Sequence, residues 1–286
     1  MDVDSQSMLR ALISLLEDNN PKVLAAVRER LLDLGPGSVA HLRAAMQDDN
    51  PRLRMRARDL LEEMEVRELE PQVVELLRSE SPDLEEGAFL ISRFAQRNLD
   101  ERPYGEMLDR MADELRPRVK SLSSPAKIIF AVNSYLFGEL GFHGNQRNYY
   151  EPDNILLHRV LDRRKGIQIA LAIVYLLVTR RLGLPFCGVG LPGHFLVGYG
   201  EEKPDVFIDV FHRGKLLSRS DCRVFLEREQ YGADESSLEP ASTTQVLSRM
   251  VTNLVLVYHQ VNDRRHEGRF ARLLQAMRPT IEVRPA

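Results

Sequence analysis

Two residues that could carry acid–base chemistry lie on neighbouring predicted strands. His194 opens HFLVGYG, and Asp209 lies in VFIDVF. Because strand side chains alternate between faces, the imidazole and the carboxylate share a face only if the strands pair with an odd index sum, as when Leu196 lies opposite Asp209. In that register the carboxylate can orient the imidazole as a general base, the arrangement that activates a nucleophile.

A candidate nucleophile for such a base is Cys187, seven residues before His194. The thiol lies on a predicted strand with Phe186 and Val189 as apolar neighbours, and such surroundings raise the pKa of a thiol. It does not lie at a helix N-terminus, where that pKa would be lowered. The pattern favours an inert buried thiol over a relocated nucleophile.

A buried helix and a set of strands must position these side chains. From Gln168 to Leu182 the apolar residues follow helical spacing, and Gly183 ends the helix. Strands 186–190, 194–200 and 206–211 follow, and the turn-rich GEEKPD predicts that the last two form a hairpin. Beyond them, KLLSRSDCRVFLERE predicts a short amphipathic helix.

Five segments carry a resemblance to a known family: DLEEGAFLISRF, GELGFHGNQRNYYEPDN, VLDRRKGIQIALAIVYLLVTRRLGLP, GVGLPGHFLVGY and FIDVFHRGKLLSRSDC. They resemble the transglutaminase-like fold, a relative of the papain-type cysteine proteases, and within it the SirB-type family, whose core also occurs in an F-box adaptor protein. The resemblance implies a nucleophilic Cys at the start of the core helix and His and Asp on successive strands. His194 and Asp209 match the last two positions, and counting back fifteen residues from Gly183 places Gln168 at the first.

The resemblance therefore implies a degenerate site. An amide has no labile proton, so Gln168 cannot act as the nucleophile; it is either a remnant that binds or an ordinary polar residue at a helix start. His194 and Asp209 are either a remnant of the site or a buried polar link that specifies the hairpin register. The loop from Gly141 to Asn154 is implied to border the cleft, and the candidate rim residues are His143, Asn145, Tyr149 and Tyr150.

The N-terminal region contains an internal repeat. LLEDNNPKVLAAVRERLLDLG and AMQDDNPRLRMRARDLLEEME are similar, with Pro21 and Pro51 thirty residues apart, and a weaker third copy contains Pro82. Asp or Asn before a Pro in the first helical turn, at this interval, is typical of HEAT-like helical repeats. We predict that Leu60 lies in the buried stripe of the second copy.

The predicted fold class is α+β in three parts. Residues 1–80 are predicted to form HEAT-like helices, 81–232 a transglutaminase-like core with an antiparallel sheet, and 240–278 a TPR-like helical hairpin. One helical pair cannot bury its own apolar face, so the hairpin should pack on the core. The last residues, 278–286, are predicted to fray.

Composition restricts the possible partners and the compartment. The chain has 286 residues, of which 43% are hydrophobic and 28% charged, and a formal net charge of −3, so nothing indicates a general attraction to nucleic acid or to an anionic membrane. Two cysteines and no apolar leader favour a reducing cytoplasm. No spacing of His or Cys indicates a metal, and GVGLPG is not a phosphate loop, so we predict neither metal nor cofactor.

With Gln168 in the nucleophile position we predict a non-catalytic, cytoplasmic protein. The resemblance implies a protein-interaction or regulatory module that binds a protein or a peptide whose identity the sequence does not name. The first alternative is a hydrolase or acyltransferase that uses His194 and Asp209 with a displaced nucleophile such as Cys187. The second alternative is nucleic-acid binding through an arginine-rich repeat helix. A solvent-exposed helix face is the favoured interpretation of these arginines, because no aromatic residues are interleaved with them. The arginines concerned are Arg52, Arg54, Arg56 and Arg58.

Overall fold

The protein combines helices with one antiparallel sheet. A computed structural model describes residues 3–96, 99–200, 202–228 and 235–277, so the predicted fraying of 278–286 lies outside the described residues. The chain divides into two compact units, Met1–Gln72 and Val73–Ala286. The α+β class is as predicted. Within the described ranges, no helix has both the length and the apolarity needed to cross a bilayer.

The first unit is helical. It contains α1 (Val3–Leu15), α2 (Pro21–Asp33), α3 (Pro36–Ala45) and most of α4 (Pro51–Arg78). The turn before α2 is locally encoded, because the Asn20 side chain accepts a hydrogen bond from the Lys22 amide and Pro21 occupies the first helical turn. An apolar core cluster packs the helices of this unit together, and Leu60, predicted to be buried, is fully buried within it.

Arginines of α4 bind the turns of this unit. Arg52 donates to the Asn19 side chain at 3.0 Å, Arg54 donates to two backbone carbonyls of the turn before α4, and Arg56 donates to two carbonyls at the end of α1. Arg54 and Arg56 together bind four backbone carbonyls in the segments between the helices. The prediction of a solvated face is therefore incomplete, because Arg52, Arg54 and Arg56 also form hydrogen bonds with the turns of this unit.

The second unit contains the remaining helices and all the strands. Its helices are α5 (Leu84–Ala95), α6 (Arg102–Val119), α7 (Pro125–Asn133), α8 (Leu157–Arg163), α9 (Gln168–Arg180), α10 (Arg219–Arg228), α11 (Thr243–Gln260) and α12 (Arg264–Met277). Short π- and 3-10-helical turns cover Ser134–Glu139, Pro152–Asn154 and Glu235–Leu238. α11 and α12 pack against each other, and α11 also packs against α5 and α9.

Five strands form the main sheet. They are β3 (Phe186–Leu191), β4 (His194–Tyr199), β5 (Val206–Asp209), β6 (Lys215–Ser218) and β7 (Pro240–Ala241), in the order β6-β5-β4-β3-β7 and antiparallel throughout. A separate parallel pair joins β1 (His143–Gly144) to β2 (Lys165–Gly166). Val197 lies opposite Ile208, an odd index sum, so β4 and β5 have the register that sequence analysis required.

The two faces of the sheet have different partners. α9 covers one face, where the Tyr175 ring lies 5.1 Å from the ring of Phe186. α10 covers the other face through a core cluster that includes Leu191 and Cys222. His194 lies opposite Leu191 and its ring is 5.7 Å from Phe225 of α10, so the imidazole is on the α10 face.

Two local predictions were wrong. Residues predicted as one helix from Lys215 form β6 and then α10, because KLLS completes the sheet next to β5. An Asn directly before an apolar helical pattern predicts that Asn154 caps the following helix. Its side chain instead binds the loop before it, and α8 begins at Leu157 without a side-chain cap.

Candidate functional site

The imidazole of His194 and the carboxylate of Asp209 are in contact. His194 Nε2 lies 3.1 Å from Asp209 Oδ2, and the two side chains are 13% and 8% exposed. The register of β4 against β5 brings them together, since it puts Leu196 opposite Asp209 and both polar side chains on one face. A one-residue slip would put them on opposite faces.

The carboxylate of Asp209 has three further donors. Its Oδ1 accepts hydrogen bonds from the backbone amides of Phe211 and His212, both at 3.1 Å, and His212 Nδ1 lies 2.8 Å from Oδ2. Burial alone would raise the pKa of Asp209. The hydrogen bond and charge of His194, with the side-chain and backbone hydrogen bonds of His212, outweigh burial and lower the pKa of Asp209 to about 2.

The ionised carboxylate fixes which nitrogens carry protons. A carboxylate only accepts hydrogen bonds, so His194 must donate through Nε2 and His212 through Nδ1. In neutral His194 the nitrogen left to accept a proton is therefore Nδ1. The pair has the electronic arrangement of a general base with its orienting acid.

Gln168 begins α9 and is held by a tyrosine. Its Oε1 accepts a hydrogen bond of 2.9 Å from the Tyr149 hydroxyl, and burial raises the pKa of Tyr149. The Tyr149 ring also makes an edge contact with Phe211, with centroids 6.0 Å apart. Since the Phe211 amide binds Asp209, a chain of contacts joins Gln168 to the carboxylate. Among the described residues, no hydrogen bond joins Gln168 directly to His194.

The loop before α8 is shaped by buried amides. Asn154 is fully buried; its Oδ1 accepts from Asn145 Nδ2 at 2.9 Å, and its Nδ2 donates to the carbonyls of Asn148 and Tyr149. Asn145 is therefore inside the loop, where it fixes loop shape. Of the other candidate rim residues, Tyr150 is 54% exposed, while His143 lies in β1 and contacts the Gly141 carbonyl.

Cys187 lies on the same sheet face as His194 but far from it. It is opposite Gly198 while His194 is opposite Leu191, four residues along β3, which corresponds to about 13 Å. Burial raises the pKa of the Cys187 thiol to about 11, as sequence analysis expected. Cys187 is therefore too far from His194 to be activated by its imidazole, and its raised pKa keeps the thiol protonated.

A large groove lies next to Tyr149 and Tyr150. Its volume is about 1120 Å³, and α11, the end of β3, the turn into β4 and β7 provide the rest of its lining. Arg249 of α11 reaches across the end of this turn and donates to the carbonyls of Leu191 at 3.0 Å and His194 at 3.3 Å. The groove is thus adjacent to the site without including the His194 and Asp209 side chains.

Several residues contribute to the site without having been predicted from the sequence. Phe211 and Arg249 link the parts of the site, and His212 shares the carboxylate of Asp209. His212 is part of the motif VFIDVFH. If the strand continued past Asp209, the side chains of His212 and Asp209 would lie on opposite faces of the sheet, so the sequence did not predict their contact. The described residues contain no group of three or more His, Cys, Asp or Glu side chains arranged to hold a metal ion.

A buried helix that starts at the Gln168 position, followed by strands that bring a His and an Asp together, defines the class of papain-like and transglutaminase-like folds. The family profile described as the transglutaminase-like superfamily matches residues 102–252, more than half of the chain. The chain belongs to this superfamily.

Relatives with similar sequences occur in bacteria and in animals. A UPF0162 protein of Xylella fastidiosa (strain 9a5c) is 35% identical over 181 residues, which are 61% of this chain and 64% of that protein. The UPF0162 protein PA3419 of Pseudomonas aeruginosa is 35% identical over 119 residues, 41% of this chain and 43% of that protein. F-box only protein 21 of Homo sapiens is 32% identical over 145 residues, 48% of this chain and 23% of that protein. No solved structure is significantly similar.

Proposed function

We propose that this chain is a non-catalytic member of its superfamily that binds a protein or peptide segment at the face formed by Gln168, Tyr149 and Tyr150. The observation that carries the proposal is the start of α9. There an amide that accepts the Tyr149 hydroxyl occupies the position where the resemblance implies a nucleophilic thiol. An amide cannot form an acyl intermediate, so the His194–Asp209 pair has nothing to activate.

The relatives are compatible with a binding role, although they do not identify the ligand. The matched segment makes up 64% of one bacterial protein but 23% of an F-box protein, so it occurs in chains of different length. A module that binds protein segments can serve in both settings. In this proposal the parts are HEAT-like helices in 1–80, the core in 81–232 and a TPR-like pair in 240–278, and the protein acts in the cytoplasm.

Capture of folded partners tests the proposal. The immobilised full-length chain is incubated with a lysate of the source organism, and bound proteins are quantified by mass spectrometry. The exposed rim is altered by Tyr150→Asp, and the matched control is Val224→Asp, an exposed position on α10. We expect proteins that are captured by the wild type and the control and are at least tenfold depleted with the rim variant. Equal capture by all three would refute a binding face at Tyr150.

A rival enzymatic function is favoured by one observation, the 3.1 Å contact between His194 and Asp209. The proposal predicts background rates of peptide hydrolysis and of amine incorporation into glutamine peptides. Turnover that is well above background and abolished by Cys187→Ser would establish the rival function instead. Gln168→Cys separates the two interpretations of the pair, because a thiol with a depressed pKa indicates a catalytic remnant and an ordinary one indicates a structural link.

A further inference from the structure

The groove beside Tyr150 is larger than a small-molecule site needs. Its volume of about 1120 Å³ exceeds the ~300–1,000 Å³ that ligand pockets usually have. It follows the length of α11 from Thr244 to Leu256, twelve positions that correspond to about 18 Å of helix. An extended chain rises about 3.3 Å per residue, so this length suits five or six residues of peptide.

One side of the groove is a row of small polar side chains. Thr244, Ser248 and Thr252 are spaced four residues apart on α11 and therefore lie on one helix face. Ser248 is 7% exposed and its hydroxyl has no hydrogen-bond partner among the described residues. A buried hydroxyl without a partner is unfavourable. A change of the χ1 rotamer of Ser248 would turn the hydroxyl into the groove, where a backbone amide or carbonyl of a ligand would satisfy it.

The opposite side of the groove is the edge of the sheet. β7 pairs only with Gly188 and Val189, whereas β3 continues to Leu191. Beyond β7, Gly190 is exposed and has no side chain that would keep another backbone away. Glycine in a strand often marks such a close approach, and a strand edge is where extended peptides add to a sheet.

The charged and apolar residues of the lining indicate the polarity of the ligand. Glu239 and Arg249 are the charged residues in the lining, of opposite sign, so the described groove has no net charge to attract a charged segment. Its polar stretch ends at Leu256, 55% exposed, with Val257 and Leu274 nearby in the lining. An apolar end next to a neutral polar stretch fits a peptide with one apolar anchor followed by uncharged residues.

From these features we infer that the groove binds an extended, uncharged peptide segment of five or six residues with an apolar anchor at Leu256. The backbone of the segment pairs with β3 at Gly190, beyond the end of β7, and satisfies Ser248. This inference rests on the proposed function and names its ligand. It places the bound segment along α11, outside the His194–Asp209 pair.

A phage-displayed pool of random dodecapeptides tests the inference. The pool is selected on the immobilised full-length chain, and enriched peptides are synthesised and titrated by fluorescence polarisation. We expect uncharged peptides with an apolar anchor. Leu256→Asp should weaken them at least tenfold, and Ser248→Ala by about threefold to tenfold, the range for one lost hydrogen bond. The exposed control Val224→Asp should leave their affinity unchanged.

Amide hydrogen exchange gives a second readout. A bound peptide should slow exchange in residues 188–191 and 244–256 of the wild type. Failure to enrich any peptide, or enriched peptides that are indifferent to both groove variants, would overturn the inference. Capture of folded proteins through Tyr150 in either of those cases would leave the proposed function standing, so the two failures are distinguishable.

Discussion

Replacing Asp209 by Asn should remove a pH-dependent part of the stability. The pKa of this carboxyl group falls from the ordinary value of 3.8 to about 2 in the folded protein. A lowered pKa stabilises the fold above the unfolded pKa, and this stabilisation is lost as the pH falls towards the folded pKa. A difference of nearly two pH units corresponds to about 2.5 kcal/mol at pH 5 and above, of which about 1 kcal/mol is lost by pH 3.

Urea unfolding at pH 5 and pH 3 measures this loss. The comparison with the variant isolates this carboxyl group, because the other carboxyl groups that titrate in this window are present in both chains. The wild type should lose about 1 kcal/mol more than Asp209→Asn between the two pH values. Asp205→Asn, at an exposed carboxylate before the same strand, is the control and should follow the wild type. Equal losses for the wild type and Asp209→Asn would refute the reasoning that both histidines and two amides stabilise the charge.

Three further substitutions or reactions have defined outcomes. Leu60→Ala should lower the free energy of unfolding by about 2–5 kcal/mol, because its side chain is fully buried, and a near-neutral result in urea would contradict a packed first unit. Ser248→Ala should raise the free energy of unfolding of the unliganded chain by about 1 kcal/mol, since it removes a buried hydroxyl without a partner; destabilisation would mean that the hydroxyl is already satisfied. With its pKa at about 11, Cys187 should be alkylated at pH 8 more than about tenfold slower than free cysteine, a rate that mass spectrometry of its peptide can measure.

The sequence predicted the central part of the fold because the signals there are local. The helix predicted from Gln168 to Leu182 is α9, Gln168–Arg180, and the three predicted strands are β3, β4 and β5. The alternation of apolar side chains also restricted the register that brings His194 to Asp209. In this part of the chain, the apolar residues along the sequence predict the same helix and strands that the structure contains.

The parts that sequence analysis missed depend on distant partners. KLLS becomes β6 because β5 offers an unpaired edge, and nothing within those four residues requires a strand. His212 reaches Asp209 only because the chain turns after β5, with Arg213 and Gly214 at positive φ. Arg249 is 58 residues from Leu191, and no spacing rule connects a helical arginine to a carbonyl in that turn.

Asn154 has a consequence for the tolerance of this loop to insertions and deletions. One side-chain amide holds three points of the segment 145–154 at once, including the carbonyl of Tyr149. An inserted or deleted residue would leave a fully buried amide without at least one of its partners. The length of this segment is therefore fixed by a single residue.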